Sequence, residues 1–192
     1  EKLHYLSRGA DFVVFAGSLP RGVEESFYAE AVRDLNRRGV QVILDTEGQP
    51  LRFGTEAEPW LVSPNQREAE HVVGQELDEE EDFLMALDTL AELGARNVHI
   101  TLESGCYALF REDRQVKRFK ASSPAVEAVS VVGAGDVLLA QFITAKLAGK
   151  TAEEALRLGV AAGTASTLEV GAGRFDPREA GRVLAGVEVV EL

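Results

Sequence analysis

Residues 130–140 read Ser-Val-Val-Gly-Ala-Gly-Asp-Val-Leu-Leu-Ala, a glycine turn followed directly by an apolar helical run. Glycines at the N-terminus of a helix leave backbone N–H groups bare and let an anion approach closely. The stretch therefore predicts a phosphate-sized cradle formed by the backbone of Gly133, Ala134 and Gly135. Asp136 falls in the first turn of the helix, where the helix dipole stabilises its negative charge by about 0.3–1 kcal/mol.

A carboxylate beside a phosphate cradle is unfavourable unless it takes part in the chemistry. The role that fits Asp136 is to accept a proton from an attacking hydroxyl during phosphoryl transfer. The residues alone leave an alternative open, in which the glycine turn and Asp136 only begin a helix, because short glycine motifs often occur without a ligand. A dinucleotide-binding fingerprint fits less well, since the third glycine is missing at the required position.

Outside this turn, apolar runs rich in β-branched residues alternate with helical patterns. The runs lie at residues 12–15, 40–44 and 98–102, and at least one helical pattern separates each from the next. This alternation is typical of a parallel sheet covered by helices, so we expect an α/β fold.

Residues 1–8 look like the end of a helix, and a strand begins at Asp11 without a preceding β–α unit. We therefore expect the chain to be the later part of something longer.

Three sequence patterns predict helix N-termini from the chemistry of the capping residue. They are Asp78 with Glu81, Thr151 with Glu154, and Asp176 with Pro177 and Glu179. In the first of these helices, five apolar residues at helical spacing are expected to face the sheet, namely Phe83, Leu84, Leu87, Leu90 and Ala91. Residues 108–110 and 116–119, joined by a turn at 112–114, predict an antiparallel hairpin.

Composition excludes several classes of function. The 192 residues are 45% hydrophobic and 27% charged, which predicts a soluble globular protein, and the net charge of −12 repels the phosphate backbone of nucleic acids. The single cysteine, Cys106, excludes a disulfide framework and fits a reducing cytosol. The longest apolar runs are too short to span a bilayer. We therefore expect a cytoplasmic protein without a nucleic-acid or membrane partner.

The lone histidines and the cysteine predict no separate site. His4, His71 and His99 have no partner at metal-ligand spacing. His99 alternates with apolar neighbours in a predicted strand, so we expect it to face solvent or a polar pocket. Cys106 is expected to be a buried, inert thiol.

Five short motifs, taken in chain order, point to one family. Besides residues 133–136 they are residues 17–22 (Gly-Ser-Leu-Pro-Arg-Gly), 45–48 (Asp-Thr-Glu-Gly), 64–68 (Pro-Asn-Gln-Arg-Glu) and 101–105 (Thr-Leu-Glu-Ser-Gly). Together they resemble the motifs of the PfkB (ribokinase-like) carbohydrate kinases, in the branch of the 1-phosphofructokinases and tagatose-6-phosphate kinases. The resemblance implies a three-layer, doubly wound, mostly parallel sheet, with residues 1–192 as the nucleotide-binding and catalytic part of the kinase domain. We expect the N-terminal strands and the small β-sheet lid of the family to be absent.

The resemblance also implies roles for the residues around ATP, the phosphoryl donor. Asp136 is the catalytic base, and the amides of residues 133–135 form the anion hole. Thr101 and Gly105 lie near the phosphates and ribose of ATP. Gly163, with the alanines before it, leaves room for the adenine.

By the same resemblance, Asn65 and Glu68 organise Mg²⁺ through water, while Gly17, Ser18 and Arg21 meet the sugar phosphate. The residues themselves allow a plainer interpretation of the first pair, as an N-cap and its capping-box partner, and both interpretations can hold together. Arg21 has a guanidinium group suited to bidentate phosphate binding, or it is an ordinary solvated loop arginine.

The chain departs from the family pattern at several positions. Val131 and Val132 stand where the family usually has threonine or serine, and Ser63 stands where many members have a lysine that reaches the nucleotide phosphates. Gln141 replaces a small residue. These departures lower the expected charge and hydroxyl content of the site, and they put the rate rather than the reaction type in question.

Three functions follow as hypotheses. The first is an Mg²⁺- and ATP-dependent kinase for a ketohexose phosphate, with fructose 1-phosphate favoured over tagatose 6-phosphate or fructose 6-phosphate. The second is a non-catalytic nucleotide-binding or regulatory module of the same fold. The third is a kinase for another sugar or a nucleoside. A homodimer is a further expectation, although family dimers commonly use the lid.

Overall fold

Strands and helices alternate in the computed structural model, which describes residues 2–112 and 115–192. The helices are α1 (Lys2–Leu6), α2 (Phe27–Arg37), α3 (Gly48–Thr55), α4 (Gln66–Val73), α5 (Glu80–Leu93), α6 (Ala134–Leu147), α7 (Ala152–Ser166) and α8 (Pro177–Leu184). The strands are β1 (Phe12–Ala16), β2 (Gln41–Asp45), β3 (Leu61–Val62), β4 (Asn97–Leu102), β5 (Gly105–Glu112), β6 (Gln115–Ser122) and β7 (Glu188–Glu191). Among the described residues, no helix is both long and apolar enough to cross a membrane.

The strands follow chain order in the sheet, from β1 to β7. The pairs β1–β2, β2–β3 and β3–β4 are parallel, with Phe12 opposite Gln41 and Ile43 opposite Leu61, whereas β7 is antiparallel to β6. The predicted α/β fold is confirmed, and the parallel strands are those that the β-branched runs predicted, with the two-residue β3 in addition.

The chain divides into two compact units. The first comprises Glu1–Ile100 and Leu109–Val116, and the second comprises Thr101–Ala108 and Lys117–Leu192. In the first unit, α2 buries five residues at helical spacing, namely Tyr28, Ala29, Ala31, Val32 and Leu35. Three of them cluster with Val42 of β2, and Val13 and Phe15 of β1 pack against the cluster. Burying a valine or leucine side chain in this way contributes about 1.5–3 kcal/mol, so α2 fixes one face of these strands.

Polar motifs follow the carboxyl ends of the parallel strands in the first unit. Gly17 comes directly after β1, Thr46 directly after β2, and Asn65 three residues after β3. The Gly17 amide donates a hydrogen bond to the Asp45 carbonyl at 2.8 Å. Because parallel strands end at the same edge, these motifs lie together where open α/β sheets place their ligands.

Two predicted helix caps are confirmed. The amide of Glu154 donates to Thr151 Oγ1 at 3.1 Å, and the amide of Arg178 donates to Asp176 Oδ1 at 2.8 Å. Both hydrogen bonds satisfy an N–H group that has no partner within its helix. Thr151 and Asp176 therefore begin α7 and α8 as the sequence predicted.

The start of α5 corrects the prediction by one residue. Glu79, not Asp78, is the N-cap, because α5 begins at Glu80. Asp82 Oδ2 accepts from the Glu79 amide at 2.9 Å and from the Asp78 amide at 3.2 Å. On the buried face, Leu84 is only half-buried, while Ala86 is buried in its place. The buried face of the helix therefore differs from the predicted one only at these two positions.

The expectation that His99 faces solvent or a polar pocket is wrong. Its side chain is fully buried in β4, with its ring 5.5 Å from the edge-on ring of Phe110. Both faces of this strand are covered, so alternation along the sequence did not imply an exposed face. Burial lowers the pKa of His99 to about 3, and the ring is therefore neutral at physiological pH.

The predicted hairpin corresponds to β5 and β6, which are neighbours in the sheet. The Ser123 amide donates to the Ser104 carbonyl at 2.8 Å, which places the start of β5 beside the end of β6, as in an antiparallel pair. The predicted turn at 112–114 includes Asp113 and Arg114, which lie outside the described residues. Cys106 in β5 is a buried thiol, as predicted.

Candidate active site

The predicted phosphate cradle forms the N-terminus of α6. Gly133 is the N-cap and has a left-handed backbone, with φ 82° and ψ 5°, which glycine adopts without strain. A Cβ atom at this position would lie 2.8 Å from the amide nitrogen of Gly173 and 3.3 Å from the Cβ of Ala172. The turn thus requires glycine for its conformation and for the close approach of residues 172–173.

Asp136 is the third residue of α6 and is exposed. The first hydrogen bond of the helix runs from the Val137 amide to the Gly133 carbonyl at 3.0 Å, so the preceding amides belong to the helix start, where no helical partner exists. One of them is already engaged, because the Ala134 amide donates to the Val131 carbonyl at 3.2 Å. An anion that used the Ala134 amide would have to displace this bond.

Gly163, predicted to leave room for adenine, is buried in α7 against α6. A Cβ atom on Gly163 would lie 3.0 Å from the Ala134 carbonyl oxygen and 3.1 Å from the Cβ of Leu138. A Cβ atom on Gly159, one turn earlier, would lie 2.9 Å from the Leu138 carbonyl oxygen. The small residues of α7 therefore let the two helices approach closely, and Gly163 packs against the first residue of the cradle helix.

Thr101 and Gly105, the residues predicted to lie near ATP, flank the turn between β4 and β5. Thr101 is half-buried and Gly105 is buried. Gly105 has φ 145°, and a Cβ atom there would lie 1.9 Å from the carbonyl oxygen of Ala121 in β6. The strand contact alone therefore requires glycine, while the role of both residues toward ATP stays a prediction.

Asn65 and Glu68, the predicted metal ligands, form a complete capping box at the start of α4. The Glu68 amide donates to Asn65 Oδ1 at 3.0 Å, and the Asn65 amide donates to Glu68 Oε2 at 2.9 Å. Burial raises the pKa of Glu68, the hydrogen bond from the Asn65 amide opposes this effect, and the nearby charge of Glu47 raises the pKa further. The plainer interpretation of this pair is thus confirmed.

The same pair also suits a hydrated Mg²⁺ ion by the chemistry of its donors. Both side chains offer oxygen, the ligand atom that Mg²⁺ prefers, and Mg²⁺ commonly binds through one or two carboxylates while it keeps several waters. Each side chain is fixed through one oxygen, and Glu68 retains Oε1 for a further ligand. In the described part of the chain, no group of three or more His, Cys, Asp and Glu residues could hold a metal ion.

The loop of residues 17–22, here called the sugar loop, carries the predicted substrate residues. Gly17, Ser18 and Arg21 are all exposed. The Gly17 carbonyl accepts hydrogen bonds from the Tyr28 hydroxyl at 3.0 Å and from Thr46 Oγ1 at 2.9 Å. Neither contact could be predicted from local sequence, because Tyr28 and Thr46 lie 11 and 29 residues from Gly17 along the chain.

The residues that depart from the family pattern differ in how exposed they are. Val131 and Val132, just before the cradle, are 59% and 67% exposed, so valine side chains occupy positions where a hydroxyl could have met phosphate. Ser63 is buried at the end of β3, where its amide donates to the Leu44 carbonyl at 3.0 Å. Gln141 is half-buried on α6.

The predicted residues fall into two sets, one in each unit. The sugar loop and the Asn65–Glu68 pair belong to the first unit, at the carboxyl edge of its parallel strands. The second unit holds Thr101, Gly105, the cradle with Asp136, and Gly163. Polar loops at the carboxyl edge of an α/β sheet, and a glycine turn that begins a helix, are each typical of proteins that bind phosphorylated ligands.

Comparison with known proteins narrows this class to one family. Residues 3–179 match the pfkB family carbohydrate kinases, and the chain belongs to that family. It is 36% identical over 151 residues to the 1-phosphofructokinase of Haemophilus influenzae, a match that covers 79% of this chain and 48% of that protein. It is 31% identical over 192 residues to the D-tagatose-1-phosphate kinase of Klebsiella oxytoca, a match that covers 99% of this chain and 62% of that protein.

A solved structure supports the same assignment. The crystal structure of phosphofructokinase-2 from Escherichia coli in complex with substrates and products matches with a TM-score of 0.84 and 26% sequence identity. The match covers 95% of this chain and 60% of that chain. The chain therefore spans about half the length of the curated relatives it matches.

Proposed function

We propose that this chain supplies the nucleotide-binding and catalytic part of an Mg²⁺- and ATP-dependent kinase that phosphorylates a ketohexose phosphate, with fructose 1-phosphate favoured. The observation that carries the proposal is the position of Asp136, which is exposed in the first turn of α6, three residues after the Gly133 turn. The membership of the pfkB family and the names of the relatives support the substrate class.

Asp136 acts in this proposal as the general base. Its carboxylate accepts the proton of a sugar hydroxyl while the hydroxyl oxygen bonds to the terminal phosphorus of ATP and the bond to the ADP oxygen breaks. The exposed position lets a hydroxyl reach the carboxylate, and the helix dipole stabilises the carboxylate before the reaction. The proton leaves Asp136 for solvent after the product departs.

The glycine turn stabilises the negative charge that develops on the transferred phosphoryl group. Backbone amides of residues 133–135 are the donors, as in other oxyanion holes. The Ala134 amide exchanges its bond to the Val131 carbonyl for a bond to a phosphoryl oxygen. Because one hydrogen bond replaces another, this exchange is nearly balanced in free energy.

Asn65 and Glu68 would hold Mg²⁺, through water at least in part. When bound, the ion neutralises charge on the ATP phosphates. The two reciprocal hydrogen bonds of the capping box fix both side chains before any ion arrives, which lowers the ordering cost of binding. Metal binding also requires Glu68 to be ionised, against the pKa-raising effect of its burial.

The sugar loop supplies the contacts to the phosphate group of the acceptor. The guanidinium of Arg21 can donate two parallel hydrogen bonds to a phosphate, and the Ser18 hydroxyl can donate a third. Tagatose 1-phosphate is a second candidate substrate, favoured by the similarity to the D-tagatose-1-phosphate kinase of Klebsiella oxytoca over 99% of this chain.

A non-catalytic nucleotide-binding module is the alternative function. Val131 and Val132 favour it, because they place exposed apolar side chains beside the cradle. Ser63 favours it as well, since the family lysine that would neutralise nucleotide phosphates is missing. A module of this kind would bind ATP with Mg²⁺ and release no ADP.

The test is ADP release in the presence of a panel of sugar phosphates. It uses the chain alone and a chimera that adds the part of the Haemophilus influenzae 1-phosphofructokinase that this chain does not match. The expected result is ADP release that depends on fructose 1-phosphate more than on tagatose 1-phosphate, tagatose 6-phosphate or fructose 6-phosphate. Nucleotide binding without ADP release from either preparation would favour the non-catalytic module, and ADP release with ribose or a nucleoside alone would reassign the acceptor.

Two further expectations belong to this proposal, a homodimer and a cytoplasmic location. Analytical ultracentrifugation of the chimera tests the first, and a monomer at every protein concentration would contradict it. Fractionation of cells that produce the protein tests the second.

A further inference from the structure

Two hydroxyl groups from different elements converge on one backbone carbonyl at the start of the sugar loop. Tyr28, near the start of α2, donates to the Gly17 carbonyl at 3.0 Å, and Thr46, directly after β2, donates to the same oxygen at 2.9 Å. The Gly17 amide donates to the Asp45 carbonyl at 2.8 Å. Gly17 is therefore held from both its N–H and its C=O side.

Both donors are built into the core of the first unit. Tyr28 is 7% exposed and Thr46 is 3% exposed. The ring of Tyr28 lies 5.2 Å from the ring of Phe15, which limits the movement of its hydroxyl. A carbonyl oxygen has two lone pairs, so both hydroxyls can bind it at once, and a buried hydroxyl without a partner would be costly.

Beyond Gly17 the sugar loop is exposed, including Ser18 and Arg21. Gly17 has φ 89°, so the chain changes direction at this residue. Directly after the loop, the Val23 amide donates back to the Pro20 carbonyl at 3.2 Å. The direction in which Ser18 and Arg21 leave the core is thus set where Gly17 is fixed.

We infer that Tyr28 and Thr46 are positioning residues, which hold the Gly17 carbonyl and thereby orient Ser18 and Arg21 toward the phosphate group of the acceptor. The choice of ligand rests on the proposed function. The anchoring itself rests on the two hydrogen bonds and on the burial of their donors. Neither side chain needs to touch the sugar phosphate. Burial also raises the pKa of Tyr28, so its phenol remains a donor at physiological pH.

Trypsin reports directly on the order of the sugar loop. Arg21 is the only lysine or arginine between Arg8 and Arg33, so cleavage after it gives two fragments that mass spectrometry identifies without ambiguity. The assay measures the initial rate of this cleavage in the folded chain, with circular dichroism to confirm folding. It needs neither ATP nor kinase activity.

The variants are Tyr28→Phe, Thr46→Val and the double variant, which remove one or both hydroxyls with little change in shape. Each single variant leaves the Gly17 carbonyl with one donor, so we expect about a twofold faster cleavage, and about tenfold for the double variant. Thr46→Ser restores a hydroxyl and should return cleavage to the wild-type rate. Hydrogen exchange of residues 17–22 in the single variants gives the same comparison if the double variant does not fold.

The matched control is Thr55→Val, which removes another buried threonine hydroxyl in the same unit, bonded to the Leu51 carbonyl at 2.7 Å. It should lower thermal stability without accelerating cleavage after Arg21. Unchanged cleavage in the double variant, or equal acceleration in Thr55→Val, would overturn the anchoring role.

A second arm separates the inference from the proposed function. In the chimera described above, fructose 1-phosphate should slow cleavage after Arg21, and this protection should weaken about tenfold in apparent affinity in the double variant of the chimera. Protection that is equally strong in both would overturn the positioning role. Faster cleavage in the double variant, with no protection of either protein by any sugar phosphate, would contradict the proposed acceptor site while the anchoring of Gly17 stands.

Discussion

Asn65 and Glu68 bind each other through two reciprocal hydrogen bonds, each from the backbone amide of one residue to the side chain of the other. The arrangement caps α4, and it also immobilises the two oxygen-bearing side chains proposed as metal ligands. A capping role and a metal role are therefore compatible, and they make different demands on the residue at position 65. A cap needs one acceptor oxygen on a short side chain, which a hydroxyl supplies as well as an amide does, whereas hard cations are bound in proteins by carboxylate and amide carbonyl oxygens.

Asn65→Ser separates the two roles, since serine caps a helix about as well as asparagine. We expect the free energy of unfolding to change by less than about 0.5 kcal/mol. Mg²⁺ binding, measured with Mn²⁺ as a probe by electron paramagnetic resonance, should weaken clearly. Asn65→Ala should lower both quantities, with a loss of stability of about 1 kcal/mol. Unchanged Mn²⁺ affinity in Asn65→Ser would leave the pair with the capping role alone.

Asp136→Asn should lower kcat by about 10²–10⁴, the usual contribution of a positioned general base. The nucleotide affinity should change little, because the backbone amides of the cradle remain. Glu154→Gln is the matched control, since Glu154 is also the third residue of a helix in the second unit. Steady-state kinetics on the preparation that releases ADP decides the point. Near-normal turnover in Asp136→Asn would mean that Asp136 only belongs to the start of α6 and is not the general base.

Gly133→Ala should impair the cradle beyond the cost of its backbone conformation. Gly149, which follows the other end of α6, has a similar φ of 77°. A Cβ atom added to Gly149 would have no neighbour within 4 Å. The Cβ atom of alanine at position 133, in contrast, would lie 2.8 Å from the amide nitrogen of Gly173. Gly149→Ala thus measures the left-handed strain alone, about 1–2 kcal/mol. We expect Gly133→Ala to lose more stability and also nucleotide affinity, by thermal unfolding and calorimetry. Equal effects of both substitutions on nucleotide binding would count against the cradle.

His99 should make the folded state sensitive to acid. Its pKa is about 3 in the folded chain and about 6.5 when unfolded, so between these values the unfolded state binds more protons and stability rises with pH. Between pH 8 and pH 5 this single group should lower the free energy of unfolding by about 2 kcal/mol. Urea unfolding of His99→Leu should lack this loss, whereas His71→Gln, at an exposed position, should retain it. A pH dependence that is unchanged in His99→Leu would contradict the burial effect.

Local sequence patterns predict helices and caps that are determined by residues close together in the sequence. They do not predict features that depend on packing between residues far apart in the sequence. The caps at Thr151 and Asp176 were predicted because the cap and its partner are close in sequence. Helix α3 was not, since it begins with a glycine and contains Pro50 and Gly54. A Cβ atom on Gly54 would lie 2.3 Å from Cδ2 of Leu44, so glycine suits the packing of this helix on β2 despite its low helix propensity.

The candidate site shows the same division. The cradle, the capping pair and the sugar loop follow from contiguous motifs, and the resemblance of five such motifs to one family implies their roles, which stay predictions. Tyr28 could not be found in this way, because its hydroxyl reaches the Gly17 carbonyl across eleven residues and only the packing of α2 on the strands brings them together. His99 was misjudged because alternation along one strand carries no information about what covers each face.

This chain alone should bind nucleotide with Mg²⁺ but transfer phosphate to sugar very poorly. The cradle, the capping pair and the residues assigned to ATP all lie within it, so calorimetry at millimolar ATP or ADP with Mg²⁺ should detect binding to the folded chain.

Phosphoryl transfer depends on orientation and on the exclusion of water, which closing lids commonly supply and which can contribute several kcal/mol. The chain spans about half the length of the curated relatives it matches. In the proposal made above, the part of those relatives that this chain does not match supplies further contacts to the sugar. We therefore expect slow ATP hydrolysis at most, and a large gain in transfer to fructose 1-phosphate in the chimera. An equal kcat/KM for the chain and the chimera on any sugar phosphate of the panel would show that the chain already holds a complete sugar site, while the absence of any nucleotide binding would contradict the cradle itself.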